Sequence, residues 1–335
     1  MIRRTHIGPL LGSLATAALL TPLQAGAQNA DVAAISGYFA QGFGLAIVEG
    51  LNQAETDFDV GVLLVDTGNR ALDYEEQFIN VAQDDEFDLV FVMGWELVNA
   101  LEEAHTAYPD QHFVFIDGVL ESDDMTYVDF AENEGSFLAG AFAAMMTSQE
   151  GVDGINSDNV VGFVGGRDIP VIRNFLVGYE QGVAYIDPDA RVASVFAGTF
   201  DDPARGSELA MSLYGQGADI VYNAAGPTGE GVLQASGISG NYSIGVDIDQ
   251  CDVAPGNVMA SMLKRVDTAV YDLVGAQASG EGVRTGAYDF NVAAGGVELL
   301  LCPDVMSSIP QEVQDRLEQI RQDIASGAIV VDSVL

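Results

Sequence analysis

Short apolar runs alternate with stretches of helical apolar periodicity along almost the whole chain, and this alternation limits the possible folds more than any other feature. The runs at residues 32–36, 60–65, 89–93, 113–116, 127–130, 160–164, 191–196, 220–223, 243–246 and 258–261 have the length and composition of buried strands. Between them, residues 43–53, 74–83, 95–107, 135–147, 169–185, 202–216, 228–236 and 267–278 each carry an apolar face at helical spacing. Strands separated by helices pair in parallel, with helices covering both faces of the sheet. The predicted class is α/β.

A chain of 335 residues exceeds one ordinary core, so two lobes are expected. The segment 151–159 is rich in Gly, Asn and Asp, and the strand–helix alternation restarts after it, which predicts a crossing between lobes there. Doubly wound sheets bind ligands beyond the carboxyl ends of their strands. Two such sheets facing one another leave a cleft, and residues that directly follow strands become the candidates for its walls.

The amino terminus has the layout of a cleaved export signal. Arg3 and Arg4 precede an apolar stretch over 7–23, and Ala25-Gly26-Ala27 offers a small-x-small cleavage site, so residues 1–27 are expected to be removed. Paired arginines also fit a twin-arginine route. Gly8, Pro9 and Gly12 interrupt a run already short for a bilayer span, and no cysteine stands near the cleavage site, so neither a membrane nor a lipid anchor is expected.

Charge excludes several partners. Fifty acids oppose 12 Lys+Arg, a formal charge of −38 that becomes about −40 once the leader's two arginines are gone. A surface of that sign repels nucleic acid and anionic membrane faces. The acids are interspersed and 48% of residues are hydrophobic, so disorder is not the cause. Lys264 is the only lysine. The balance fits an acidic, halophilic surface outside the cell, where salt screens the self-repulsion.

The two cysteines, Cys251 and Cys302, would pair in an oxidising compartment or remain as two thiols; they lie far apart in sequence and in no metal-ligand spacing. Asp247, Asp249 and Asp252 suggest a metal loop, but Cys251 interrupts it and the required glycine is missing, so no metal is expected. The chain carries no GxSxG, HExxH or P-loop, and beyond the leader only His105 and His112. An enzyme and a cofactor are therefore not expected.

Six blocks in order carry a family resemblance: Glu134-Gly135-Ser136-Phe137-Leu138-Ala139-Gly140, residues 161–175, Gly198-Thr199-Phe200-Asp201-Asp202-Pro203, Ala224-Ala225-Gly226-Pro227-Thr228-Gly229, residues 244–250, and Ser261-Met262-Leu263-Lys264-Arg265-Val266-Asp267. Through them the chain resembles the Bmp (basic membrane protein) or PnrA-like solute-binding proteins of ABC importers, although it is acidic. The resemblance implies a hinged, two-lobed receptor similar to type I periplasmic binding proteins. Two doubly wound parallel-sheet lobes would then span 28–150 with about 262–288, and 155–258 with about 290–335, with further crossings near 258–264 and 288–293. It implies a periplasmic monomer that binds a small polar ligand, best a purine nucleoside, and passes it to a membrane permease. A sensing role beside a chemoreceptor and capture of another small solute are the alternatives.

Residue chemistry assigns roles within that frame. Phe200, in a turn after a predicted strand, can stack a purine. Asp247 closes the strand at 243–246 and can accept two hydrogen bonds from a ribose diol. Lys264, the one lysine retained, would hold Asp247 or a ligand oxygen, and Gly226 lets backbone approach the ligand between a strand and a helix. The family commonly has Asp-x-Ser-Phe-Asn after the first strand; here Phe43 matches the aromatic and Gly44 stands where asparagine is usual. Trp95 replaces a smaller residue. Phe43 and Trp95 are expected on the first lobe, facing Phe200 on the second.

Overall fold

The computed structural model describes residues 31–335 apart from 38, 40, 41, 69, 84, 85, 121 and 123. The expected export signal, 1–27, and part of the stretch after the first strand lie outside the described residues. The chain begins with β1 (Val32–Ser36), α1 (Phe43–Phe58), β2 (Val62–Asp66), α2 (Tyr74–Ala82), β3 (Leu89–Met93), α3 (Val98–Ala107), β4 (Phe113–Ile116), β5 (Thr126–Phe130) and α4 (Glu132–Thr147). It continues with β6 (Val160–Gly165), α5 (Pro170–Ile186), β7 (Arg191–Phe196), α6 (Pro203–Tyr214), β8 (Ala218–Ala224), α7 (Pro227–Ser239), β9 (Tyr242–Asp247) and β10 (Val258–Lys264). Then come α8 (Val266–Ala278), β11 (Gly286–Phe290), β12 (Val297–Leu301) and α9 (Gln311–Ala325).

Two six-stranded sheets result, in the orders β11-β5-β4-β3-β1-β2 and β12-β10-β9-β8-β6-β7. The fold is therefore α/β with two doubly wound sheets. The pairings are parallel except at one edge, where β12 runs antiparallel to β10. That strand arrives from the first sheet through a short connection rather than a crossover helix, so its direction is reversed. Central strands such as β1, β3 and β8 are buried along their whole length, as expected for sheets covered on both faces.

The lobe boundary differs from the sequence expectation. Helix α4 packs on α5 and reaches β10 and β12, so it belongs with the second sheet. Three glycines let the two helix backbones touch. A Cβ on Gly140 would lie 2.1 Å from the Tyr179 carbonyl oxygen, and one on Gly178 or Gly182 would lie 2.1 Å from that of Asn133 or Phe137. Ser136 also hydrogen-bonds the Tyr222 hydroxyl, and Thr147 the Asp219 carboxylate, both on β8. The chain thus leaves the first sheet at Ala131, ahead of the Gly- and Asn-rich segment 151–159 that had been expected to carry the crossing. Strand β10 stays in the second sheet to Lys264, so residues 262–264, expected in the first lobe, are not part of it.

The chain returns to the first sheet at Arg265, where α8 packs against α1; a Cβ on Gly50 would meet the Asp267 carbonyl oxygen at 2.4 Å. It crosses a third time between β11 and β12. Hydrogen bonds join these crossings: the Ala131 amide donates to the Phe290 carbonyl at 3.1 Å, the Arg265 amide to Gly296 at 2.9 Å, and the Val292 amide to the Glu134 carboxylate at 2.9 Å. Cys251 and Cys302 form a disulfide that ties the turn after β9 to the end of β12. No helix among the described residues is long and apolar enough to cross a membrane.

With so few cations to neutralise 50 acids, repulsion at the surface opposes folding until counterions screen it. The melting temperature is expected to rise from low to molar sodium chloride. A flat response in a thermal scan would sink the high-salt reading.

Candidate ligand-binding cleft

The carboxyl ends of the strands in both sheets face one another across a cavity of about 400 Å³. All six residues singled out from sequence line it: Phe43 and Trp95 from the first lobe, and Phe200, Gly226, Asp247 and Lys264 from the second. The walls are mostly apolar, with charged groups gathered at two places, one deep and one near the mouth.

The deep group centres on Lys264, whose side chain is 1% exposed. Its ammonium pairs with Asp117 at the end of β4, so this ion pair joins the two lobes. The sequence had offered Asp247 or a ligand oxygen as its partner; the bonded carboxylate is Asp117. Three rings surround the same ammonium, with centroids 5.2 Å (Phe43), 5.4 Å (Phe130) and 5.1 Å (Phe175) away. Such rings present their electron-rich faces to a cation that has lost its water.

Asp117 and Asp247 occupy matching positions, one on each lobe. Asp117 directly follows β4 and Asp247 is the last residue of β9, and each has left-handed backbone, with φ of 74° and 69°. That conformation is uncommon for residues with a side chain and is tolerated best by Asn and Asp. The turn beyond Asp247 is braced by Gln250, whose Oε1 accepts from the Val246 amide at 2.9 Å and whose own amide donates to Ser261 Oγ at 3.0 Å. The disulfide begins at the next residue.

Four carboxylates share the one lysine. Burial pushes Asp247 up to about 6, against the pull of Lys264 and with the help of Asp117. Asp129 is likewise raised to about 6, by burial and then by Asp117. Glu132, at the first position of α4, is fully buried and raised to about 8 by burial, with Lys264 opposing and the charges of Asp117 and Asp129 adding. Its Oε1 accepts from Asn174 at 3.2 Å and its Oε2 has no partner. Burial works against the Lys264 charge, yet Asp117, Glu132 and Asp247 together hold its pKa above the usual lysine value.

Near the mouth, Trp95 is 44% exposed and stands edge-on to Phe115, ring centroids 5.5 Å apart. Phe200 is half-buried, and the Arg167 guanidinium lies 5.7 Å from its centroid. The Phe200 carbonyl accepts from the Thr228 amide at 2.9 Å, which fixes the ring's turn to the start of α7. Gly226 precedes that helix at φ 54°, a conformation that a side chain would strain. Glu96, from the first lobe, also borders the cavity; burial raises its carboxyl, Arg167 opposes this and Asp201 adds to it.

Asp117, Phe175, Glu96 and Arg167 line the cavity without having been singled out in the sequence. Asp117 was open to detection, because it ends a predicted strand just as Asp247 does. His105 and His112 lie elsewhere: His105 faces Asp124 at 3.4 Å and His112 bonds Thr126 at 2.7 Å. Among the described residues, no three His, Cys, Asp or Glu side chains group to hold a metal ion.

Known proteins share this architecture. The family model described as "ABC transporter substrate-binding protein PnrA-like" matches residues 32–333. A Lactococcus lactis subsp. cremoris protein described as "ABC transporter nucleoside-binding protein BmpA" is 32% identical over 283 residues, covering 79% of this chain and 76% of that protein. Basic membrane protein D of Borreliella burgdorferi is 29% identical over 304 residues, covering 87% and 84%. The crystal structure of an ABC transporter solute-binding protein from Aeropyrum pernix K1 superposes with a TM-score of 0.80 at 25% identity, covering 90% of this chain and 94% of that one.

Proposed function

The chain belongs to the PnrA-like (Bmp) family of ABC transporter substrate-binding proteins, and from that premise we propose that it is exported, captures a purine nucleoside between its lobes as a monomer, and delivers it to a membrane permease. The observation that carries this reading is the pairing, in one cavity, of aromatic rings at the mouth with an ionisable Asp247 and a buried lysine at depth. Phe200 would stack the base, with Phe43 and Trp95 closing on it from the first lobe. Asp247 would accept the ribose hydroxyls, and Gly226 would admit backbone N–H groups. Lys264, already paired with Asp117 across the lobes, would hold the hinge side of the cleft in a ligand-ready arrangement. The name of the Lactococcus relative, a nucleoside-binding protein, supports the ligand class.

Thermal denaturation with added ligand tests the proposal. A ligand that binds only the folded state adds about 2.7 kcal/mol at a concentration one hundred times its Kd. Guanosine, inosine or adenosine is expected to raise the melting temperature at sub-millimolar concentration, whereas free bases and pyrimidine nucleosides serve as comparisons. If an unrelated solute shifts the transition and no nucleoside does, the ligand class is wrong and the receptor reading survives.

A further inference from the structure

Arg167 stands out among the described arginines. Arg70, Arg173, Arg205, Arg265 and Arg321 pair with carboxylates. Arg191, Arg284 and Arg316 donate to carbonyl or hydroxyl oxygens. Among the described residues the Arg167 guanidinium has neither kind of partner; the Phe200 ring centroid lies 5.7 Å away, and the Glu96 carboxyl feels its charge without bonding it. In a chain with 50 acids, a guanidinium on the wall of the ligand cavity that bonds no carboxylate keeps its donors available to a ligand.

A guanidinium has five N–H donors and no acceptor. Arg167 lies over the Phe200 ring and lines the same cavity, so a planar ligand held between Phe200 and the first lobe satisfies the guanidinium only if the edge it turns toward Arg167 bears acceptors. The N7 and O6 atoms of a 6-oxopurine form such an edge, and arginine meets both in a bidentate fashion. A 6-aminopurine places an N6–H2 donor beside N7, so donor opposes donor. Across the cavity, the Glu96 carboxylate of the first lobe is an acceptor, suited to the N1–H and, in guanine, the N2–H2 of the opposite edge.

We propose that Arg167 is a specificity-determining residue that makes the cleft prefer 6-oxopurine nucleosides, guanosine and inosine, over adenosine, with Glu96 as the facing acceptor. The inference rests on the nucleoside reading above and narrows it. A good bidentate contact discriminates by about 1–3 kcal/mol, so the expected preference is roughly five- to 150-fold in Kd.

Calorimetric titration of the full chain in molar sodium chloride with guanosine, inosine and adenosine tests it, using wild type, Arg167→Met and Arg167→Lys. Wild type is expected to bind guanosine and inosine at least about five-fold more tightly than adenosine. Arg167→Met should lose affinity for the two oxopurines and keep that for adenosine, so the preference collapses; Arg167→Lys, with one point of donation, should fall between. Because Arg167 is exposed, each variant is expected to melt as wild type does, which separates lost recognition from lost fold. Equal or tighter binding of adenosine by wild type, or a preference that survives in Arg167→Met, overturns the inference while the nucleoside reading stands. Failure of all three nucleosides to bind wild type overturns both.

Discussion

Replacing Lys264 with methionine is expected to lower the stability of the fold by about 3–5 kcal/mol, the usual consequence of removing one partner from a buried ion pair. The substitution preserves most of the side-chain volume, so the effect isolates charge. It leaves Asp117, Asp129, Glu132 and Asp247 near one another with no cation among them. Asp129, Glu132 and Asp247, already raised, respond by taking up protons, and the sign of the pH dependence follows. An acid whose folded pKa lies above its unfolded value favours the folded state at low pH and costs stability as pH rises through the folded value. Asp129 and Asp247 already sit at about 6 and Glu132 at about 8, and the loss of Lys264 pushes all three higher. The deficit of Lys264→Met should therefore be largest near pH 9 and shrink steadily toward pH 5. Urea denaturation at fixed salt, followed through Trp95 fluorescence, measures it. A deficit that is small or independent of pH would show that the lysine does not organise this cluster.

The second large effect is on binding. Asp247→Asn should weaken nucleoside affinity by about 2–4 kcal/mol, roughly thirty- to a thousand-fold in Kd, if the carboxylate takes the ribose hydroxyls in a closed, water-poor cleft. Asparagine is chosen because it tolerates the left-handed backbone at this position, φ 69°, better than alanine does. Wild-type affinity should also weaken as pH falls below about 6, where burial leaves Asp247 half protonated and unable to accept at both oxygens. Hydroxyl donation to the ionised form lowers that midpoint in the complex, so the decline should steepen below pH 6. Calorimetry at pH 5 and pH 7.5 on both proteins decides the matter: an Asn variant that binds as wild type does removes Asp247 from the site.

Strands at the sheet centres were legible because their residues are apolar without interruption; the predicted 32–36, 89–93 and 113–116 coincide with β1, β3 and β4. The edge strands β11 and β12 escaped because their burial is partial: Gly286–Phe290 mixes polar and apolar residues without a clear period, and Val297–Leu301, apolar but for Glu298, follows β11 with no helix between them. Helix α4 was found but attached to the wrong lobe. Nearly all its residues are buried, so no polar face betrays which sheet it covers, and the glycines that join it to α5 act between residues distant in sequence. The cleft was legible where a residue ends a strand, as with Asp247. Glu132 and Arg167 were not, since one owes its character to burial at a crossing and the other to the partner it lacks, and neither property exists until the chain is folded.

Three crossings between sheets also govern the order in which the molecule can be made. The first sheet contains β11, and its helical layer contains α8, although both are encoded after nearly the whole second lobe. A polypeptide emerging from a ribosome therefore cannot finish its amino-terminal lobe early, and must hold β1 to β5 incomplete until residues near 290 have been synthesised. Neither lobe can be obtained by cutting the chain once. Each sheet is therefore completed only by the last segments of the chain, the first by β11 and the second by β12.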